Sequence, residues 1–573
     1  METENTTKYE SMVKKALQKE NMLLFLENKT LEYESRIALA MRTQYGWKEF
    51  TYKGLGYMSR KLASYLINDL KVAKGDRVAI LSESMPEYGS CVFANVIAGM
   101  TTIPLDIKLT IYELRSILKD CEPKIIMVSQ AHKKDAYQLK EEIPSIEHII
   151  IMDEHVNEEG YPTLYSIPNN NDCKWRHRSK KSTALIIYTS GTTGSPKGVE
   201  ISFENIFAQL QGFQPLADVF FKDRSKGINV LSILPMNHLF EMTVGFATFL
   251  SFGLSVYYTS SLKPKDILGI MKEKQVDFMI VVPAFLKLLK AGVEAELKNM
   301  PKIVQSMFKL MLFTAKRIPS FRVRRWIFQS IHKKFGGRFH ACITGGAPLD
   351  CAVGEFFETI GIKIYQGYGL TETSPVVSVN YDKRNVMKSV GHPLLGFEAK
   401  TDSETGELML RGKSVMKGYH NQPEKTAEVI DEDGWLHTGD VANIDKDGHI
   451  YITGRIKNMI VLNGGKKVFP EEVEAVLENV EEFAEVCVLG QKRKGGEKDG
   501  TEEIVVIVVP KEKYLTMDDN ELENMVRERV KEFSLQLAPY KRPANIIVKR
   551  EGLPKTTTRK VKRQEVKKML AEV

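Results

Sequence analysis

Helical and extended patterns alternate along the first half of the chain. Apolar residues recur at helical spacing in GLGYMSRKLASYLINDL from Gly54, and a short apolar run follows in RVAILSES from Arg77. EYGSCVFANVIAGM reads as the next helix, TTIPLD as a short strand, TIYELRSILKD as a helix and PKIIMVS as a strand. This alternation predicts βαβ units and a mostly parallel sheet covered on both faces. From Glu404 to Gly454 the pattern changes to short strands separated by Gly-Asp turns, as in GWLHTGDVANIDKDGHIYITG, which predicts an antiparallel β subdomain. After Arg455 come helix PEEVEAVLENV, strands AEVCVLG and EEIVVIVVP, a helix near Asp518 to Phe533 and strand NIIVKRE. They predict a compact α+β unit of about a hundred residues. The expected fold class is α/β. Residues 1–454 form a large N-terminal domain of βαβ layers, with the β subdomain at 404–454, and residues 455–573 form a small C-terminal α+β domain.

A chain of 573 residues is too long for one ordinary core, which agrees with this division. Hydrophobic residues at 43% and charged residues at 27% are a globular composition. The net charge of +8 is a mild excess for this size and gives no reason to expect a nucleic-acid partner. Six scattered cysteines without a C-x-x-C suit a reduced compartment without zinc or structural disulfides. The N-terminus has no apolar signal core, so the expected location is cytoplasmic or peripheral to the inner face of a membrane. Met242 to Leu262 carries no charge, but its Ser, Thr and Gly residues favour a buried helix–turn–strand over a membrane span.

Between Lys298 and Arg338 lie eleven Lys or Arg residues and no acid, interleaved with Phe308, Leu312, Phe313, Trp326, Ile327 and Phe328. The pattern favours a basic helical hairpin whose apolar stripe packs on the body. The alternative is a surface that lies on anionic lipid.

Chemistry concentrates in YTSGTTGSPKG (Tyr188 to Gly198), a hydroxyl- and glycine-rich stretch ending in lysine after the apolar run ALII. It departs from the nucleotide P-loop G-x-x-x-x-G-K-[ST] at two positions: Pro196 replaces the second glycine, and Gly198 replaces the magnesium-binding hydroxyl. Proline also has no N–H to offer a phosphate. What remains is a clamp with one cation suited to the outer phosphates of a triphosphate, or else a solvated loop. Five further motifs follow in order: TGGAPLD from Thr344, YQGYGLTETSP from Tyr365, WLHTGD from Trp435, GRIKNMIVLNGGKKVFPEEVE from Gly454 and LPKTTTRKVKR from Leu553.

This ordered set resembles the AMP-forming acyl-adenylate superfamily of acyl-CoA synthetases, luciferases and peptide-synthetase adenylation domains, over about residues 20 to 570. The resemblance implies a β/γ-phosphate clamp of Thr189, Ser190, Gly191, Thr192, Thr193 and Lys197. Gly345, Gly346 and Ala347 would let backbone approach adenine, and Gln366, Gly367, Tyr368 and Gly369 would complete that pocket, with Tyr368 stacking on the base. Thr371 would bond the α-phosphate and Glu372 would hold Mg²⁺, a hard cation suited to carboxylate beside phosphate. Asp440 and Arg455 would bond the ribose hydroxyls, one as acceptor and one as donor. Lys560 would bridge the attacking carboxylate and the α-phosphate as charge develops. Arg559 stands where the family commonly has glycine, and Lys555 and Lys562 are weaker candidates for the same role. A hinge at Lys457 would rotate a mobile C-terminal lid, exchanging Lys560 for Gly464 and Gly465 beside the pantetheine channel.

The implied reaction has two steps. A carboxylate attacks the α-phosphorus of ATP to give acyl-AMP and pyrophosphate, and coenzyme A thiol then displaces AMP. In PMNHLFEMTVG, His238 resembles the family's acyl–thiol junction residue, against a packed core histidine. Phe240 and Met242 beyond it would line an acyl tunnel. The basic-aromatic segment resembles that of long-chain fatty acyl-CoA synthetases, so a fatty acid is the expected acid, with ATP and coenzyme A as co-substrates. Two rivals remain: transfer to an acyl carrier protein after the same adenylation, and a nonenzymatic lipid- or nucleotide-binding homologue.

Overall fold

The computed structural model describes residues 22–170, 172–189, 196–221, 227–381, 386–462, 466–492, 502–555 and 561–571. The chain divides into two compact units. The larger holds residues 1–387, 391–398 and 411–434, and the smaller holds 388–390, 399–410 and 435–573.

Two large sheets organise the larger unit. One has seven strands in the order Gly418–Tyr419, Lys197–Ser202, Thr183–Thr189, Thr101–Leu105, Arg77–Leu81, Ile125–Val128, His148–Ile151. Its pairings are parallel from Thr183–Thr189 outward to His148–Ile151 and antiparallel on the other side. The second has nine strands: His392–Pro393, Ser378–Val379, Lys363–Tyr368, Ala341–Thr344, Phe278–Val281, Asn229–Ser232, Ser255–Tyr258, Ile37–Thr43, Gly46–Thr51. Its five central pairings are parallel. Strands buried on both faces explain the unbroken apolar runs: Ile125–Val128 and Phe278–Val281 are buried throughout.

Local sequence sets the connections. Pro86 opens the helix Pro86–Ala98, and Gly99, at φ +70°, ends it in the left-handed conformation that glycine adopts without strain. Ser202 and Asn205 form a reciprocal cap, so the helix Phe203–Phe220 starts directly on leaving the strand Lys197–Ser202. Met242 to Leu262 folds as expected, as a buried helical turn and the strand Ser255–Tyr258. Among the described residues no helix is long and apolar enough to cross a membrane. The basic segment forms three short helices instead of a hairpin: Lys302–Ala315, Phe321–Ile327 and Gln329–Lys334. Pro319 and the residues flanking Phe328 break the run.

The smaller unit contains the antiparallel pair Leu436–Ile444 and Ile450–Arg455. It also contains a three-stranded sheet of Phe483–Lys492, Glu502–Pro510 and Asn545–Val548. The helices Pro470–Leu477 and Asp519–Ser534 share a hydrophobic core with that sheet through Val473, Leu477, Val526 and Val530.

Candidate active site

The glycine-rich stretch joins two antiparallel strands, with Thr189 opposite Lys197 and Tyr188 opposite Gly198. The strands on either side of it therefore pair directly with each other, where a P-loop would join strand to helix. Ser190, Gly191, Thr192 and Thr193 lie outside the described residues. Gly198 is closely packed, because a Cβ there would lie 3.0 Å from Ile186 and 3.1 Å from Tyr188 and His420, so these side chains would have to shift slightly.

Lys197 sits with Nζ 4.7 Å from the centre of the Tyr419 ring. The Tyr419 hydroxyl donates to Glu372 Oε1 at 2.9 Å. One phenol thus touches both the clamp lysine and the carboxylate expected to hold a metal. Burial, and then the Glu372 charge, push the phenol well above its ordinary range, so it remains a donor. Tyr419 is positioned by the strand Gly418–Tyr419, which pairs with Lys197–Ser202. Glu200 secures that pairing: His420 Nδ1 lies 2.7 Å from Oε1, while Thr183 and Lys417 donate to Oε2 at 2.7 and 3.0 Å. These partners, His420 first, hold its carboxyl down at about 2 against the opposing effect of burial.

The two motifs expected beside adenine leave the sheet at one edge. Ala341–Thr344 and Lys363–Tyr368 run parallel with Thr344 opposite Gln366, so TGGAPLD and YGLTET both emerge at the carboxyl ends of neighbouring strands, the usual ligand edge of such sheets. Buried Thr344 Oγ1 and Gln366 Oε1 have no protein partner, an unused polar capacity at that edge. Tyr368 is half-buried at the strand's end, as is Ala347, and Gly346 is exposed at φ +81°. A Cβ on Gly345 would lie 3.2 Å from Gly367 O and 3.6 Å from Phe240, which places Phe240 against these loops.

The YGLTET turn folds back so closely that a Cβ on Gly369 would sit 1.8 Å from Pro375 O. Buried Gln209 ties the turn down. Its amide donates to Thr373 O at 3.1 Å and Val376 O at 2.8 Å, and its oxygen accepts from Val376 N at 3.3 Å. Half-buried Thr371 and Glu372 open a 3₁₀ turn, Thr371–Thr373.

His238 follows the strand Asn229–Ser232 and is half-buried; burial lowers its pKa and nearby Asp106 partly offsets this. One turn further, Met242 lines an apolar cavity with Phe246, Leu250, Val92, Leu210 and Leu26. The two expected tunnel residues thus differ in place: Met242 lines the cavity, whereas Phe240 faces Gly345. Beside them Glu241 is wholly buried. Neither of its oxygens has a hydrogen-bond partner of good geometry, and burial pushes its carboxyl up to about 8, the nearby Ser232 hydroxyl offsetting only part. Gly245 makes room for it, since a Cβ there would lie 2.3 Å from Oε2.

In the smaller unit Asp440 and Arg455 stand opposite each other across the antiparallel pair, with Arg455 Nε 2.6 Å from Asp440 Oδ1. Asp440 is buried and Arg455 half exposed, so the pair presents an acceptor and a donor together. Exposed Lys457 lies in the following 3₁₀ turn, Ile456–Asn458. Gly464, Gly465 and Lys560 lie outside the described residues, but Lys560's flanks are anchored: Lys555 bridges to Val561 across the gap. The alternatives to Lys560 are both engaged, Lys555 with Glu485 and Lys562 with Glu565 at 2.9 Å.

The sequence of residues 26–420 matches the family described as AMP-binding enzyme, and residues 472–560 match the AMP-binding enzyme C-terminal domain. The chain belongs to the AMP-binding enzyme family. Among curated relatives, the long-chain-fatty-acid–CoA ligase FadD15 of Mycobacterium bovis is 28% identical over 471 residues, 78% of this chain and 76% of that protein. The long-chain-fatty-acid–[acyl-carrier-protein] ligase AEE15 of Arabidopsis thaliana is 31% identical over 372 residues, 54% of this chain and 50% of that one. ATP-bound MatB from Rhodopseudomonas palustris superposes with a TM-score of 0.75 at 25% identity, covering 95% of this chain and 98% of MatB. The resemblance read from six motifs is thereby borne out, as is the α/β fold with a large first and smaller second part. Sequence reading did not single out Tyr419, Gln209 or Glu200; no motif marks them. Glu241 had one signal, a lone acid at the start of an apolar run.

Proposed function

We propose that this member of the AMP-binding enzyme family is an AMP-forming acid–thiol ligase acting on fatty acids. A fatty carboxylate attacks the α-phosphorus of ATP, the bond to pyrophosphate breaks, and the acyl group of acyl-AMP then passes to the coenzyme A thiol with departure of AMP. The observation that carries this reading is the Lys197–Tyr419–Glu372 chain. It holds a cation and a carboxylate on one phenol in the unit whose apolar cavity lies behind Met242.

Thr189, Lys197 and the residues between them would hold the phosphates that leave, and Thr371 the phosphate that is attacked. Tyr368, Gly345, Gly346, Ala347 and the strand Lys363–Tyr368 would take adenine, with Asp440 and Arg455 serving the ribose. Among the described residues no cluster of three or more potential ligands exists. One carboxylate completed by substrate phosphates and water suits Mg²⁺, which dehydrates reluctantly, so Glu372 fits the role. Bound there, Mg²⁺ would neutralise phosphate charge. Lys560 would stabilise the adenylation transition state, and Lys457, near the proposed domain boundary at Gly454, would be the hinge that exchanges it for Gly464 and Gly465. His238 would serve the acyl–thiol junction.

The test is pyrophosphate release from ATP across a panel of carboxylates. Release with fatty acids supports the reading, and the chain-length optimum identifies the substrate. No release with any carboxylate refutes it in favour of a binding role. The acyl-carrier-protein relative supports a second reading of the acceptor, separated by offering free coenzyme A and carrier protein in parallel. An anionic membrane surface would meet the chain through residues 298–338, which hold eleven Lys or Arg residues and no acid.

A further inference from the structure

We propose that Asp120 is a positioning residue for the phosphate site, holding from its helix the two strands that flank Lys197. The inference rests on the proposed adenylation and assigns a support to it. Three strands lie side by side at this end of the seven-stranded sheet, in the order Gly418–Tyr419, Lys197–Ser202, Thr183–Thr189. The middle strand begins with Lys197, one neighbour carries Tyr419, and the other leads into the glycine-rich stretch. Asp120 touches the chain at both neighbours. The Tyr188 hydroxyl donates to its Oδ2 at 2.5 Å. The Asn421 side-chain amide donates to its backbone carbonyl at 3.3 Å and to its Oδ1 at 3.4 Å.

Gly198 lies between these two contacts. It stands opposite Tyr188 on one side, and on the other its carbonyl accepts from His420 N at 2.7 Å. A Cβ on Gly198 would lie 3.1 Å from both the Tyr188 ring and His420, so its missing side chain leaves room for the phenol. The contacts of Asp120 thus fall on either side of the residue that follows Lys197. Asp120 can act as a fixed point because its helix, Ile111–Cys121, is itself held at both ends. Thr110 and Glu113 form a reciprocal cap at the start, and Glu122 ends the helix in the left-handed conformation at φ +39°. Leu114, Ile117, Leu118 and Cys121 are buried in the core against which Tyr188 packs. Burial also pushes the Tyr188 phenol far above its ordinary range, so it remains a donor to the carboxylate. Asn421, two residues beyond Tyr419, takes φ +54°, a left-handed conformation that asparagine tolerates. A carboxylate that anchors both flanks limits how far Lys197 and Tyr419 can drift apart, which is how supporting contacts keep a binding group in place.

An aspartate that only stabilised the sheet would make the same contacts, but the two roles separate by half-reaction. The outer phosphates are present during adenylation and absent when acyl-AMP is supplied. The test measures Mg·ATP binding by titration calorimetry, pyrophosphate release with a fatty acid, and thioester formation from supplied acyl-AMP, all with the full chain. Asp120→Ala should weaken ATP binding and raise the KM for ATP about tenfold, the worth of hydrogen bonds to a charged group. Thioester formation from acyl-AMP should be unchanged. Tyr188→Phe should reproduce most of the loss, and the double variant should be no worse than Asp120→Ala, because both remove one shared contact. Asp120→Asn keeps an acceptor oxygen and should bind ATP nearly as wild type does. Wild-type ATP affinity in both Asp120→Ala and Tyr188→Phe overturns the inference and leaves the adenylation reading standing. So does equal loss of both half-reactions with a lowered melting temperature. A wild-type chain that binds no ATP and releases no pyrophosphate with any carboxylate overturns that reading, and this inference with it.

Discussion

Replacing Glu241 by glutamine should remove a pH dependence of stability that the wild-type chain carries. The carboxyl is wholly buried and stays protonated up to about 8, whereas its ordinary value is 4.5. Below pH 4.5 both folded and unfolded chains hold the proton. Between 4.5 and about 8 the unfolded chain releases it and the folded chain keeps it, so folding becomes progressively less favourable as pH rises. Each pH unit in that window costs the native state about 1.4 kcal/mol, and the whole window about 5 kcal/mol. Glutamine has nearly the same shape and does not titrate; burial of its amide adds a cost that does not vary with pH. Thermal melts of both proteins at pH 5.5 and 7.5 give the assay. The variant should gain about 2.7 kcal/mol relative to wild type across that interval, a difference of a few °C for a unit of this size. Parallel pH curves for the two proteins would refute the reasoning and mean that Glu241 is solvated or paired in solution. The variant also tests function, because Met242, its chain neighbour, lines the apolar cavity.

Lys560→Ala should abolish adenylation from ATP by about 10²–10³-fold while thioester formation from supplied acyl-AMP persists; equal loss of both half-reactions would remove the two-state assignment. Tyr419→Phe deletes the hydroxyl on Glu372 and keeps the ring beneath Lys197. It should raise the Mg²⁺ concentration needed for half-maximal pyrophosphate release by about tenfold, the worth of a hydrogen bond to a charged group, and an unchanged Mg²⁺ requirement would show that the phenol does not position the carboxylate.

Membership of the family was legible because its motifs restrict residue type locally. A loop that approaches phosphate or a base closely needs glycine and hydroxyl residues at short spacing, and YTSGTTGSPKG, TGGAPLD and YGLTET display this without any partner. The parallel strands were legible for a similar reason, since burial on both faces writes itself as an unbroken apolar run in Ile125–Val128. The supports of the site are a different matter. Tyr419 lies 47 residues from Glu372, and Gln209 lies 167 residues from the Val376 backbone it holds. Their roles come from sheet pairing and helix placement, and a tyrosine or glutamine alone carries no signal of a distant partner.

The basic segment divides along the same line. Its sequence determined a cationic, acid-free stretch rich in large apolar residues, and that much follows from composition. Which residues faced the core was decided only by tertiary packing, because apolar residues occupy both sides of the helix Lys302–Ala315. The fold used the side bearing Phe308 and Leu312 and left Ile303, Met307, Leu310 and Phe313 in water. Sequence alone thus set which chemistry the chain can carry. Packing decided which side chains are held, which are buried at the cost of their charge, and which remain exposed.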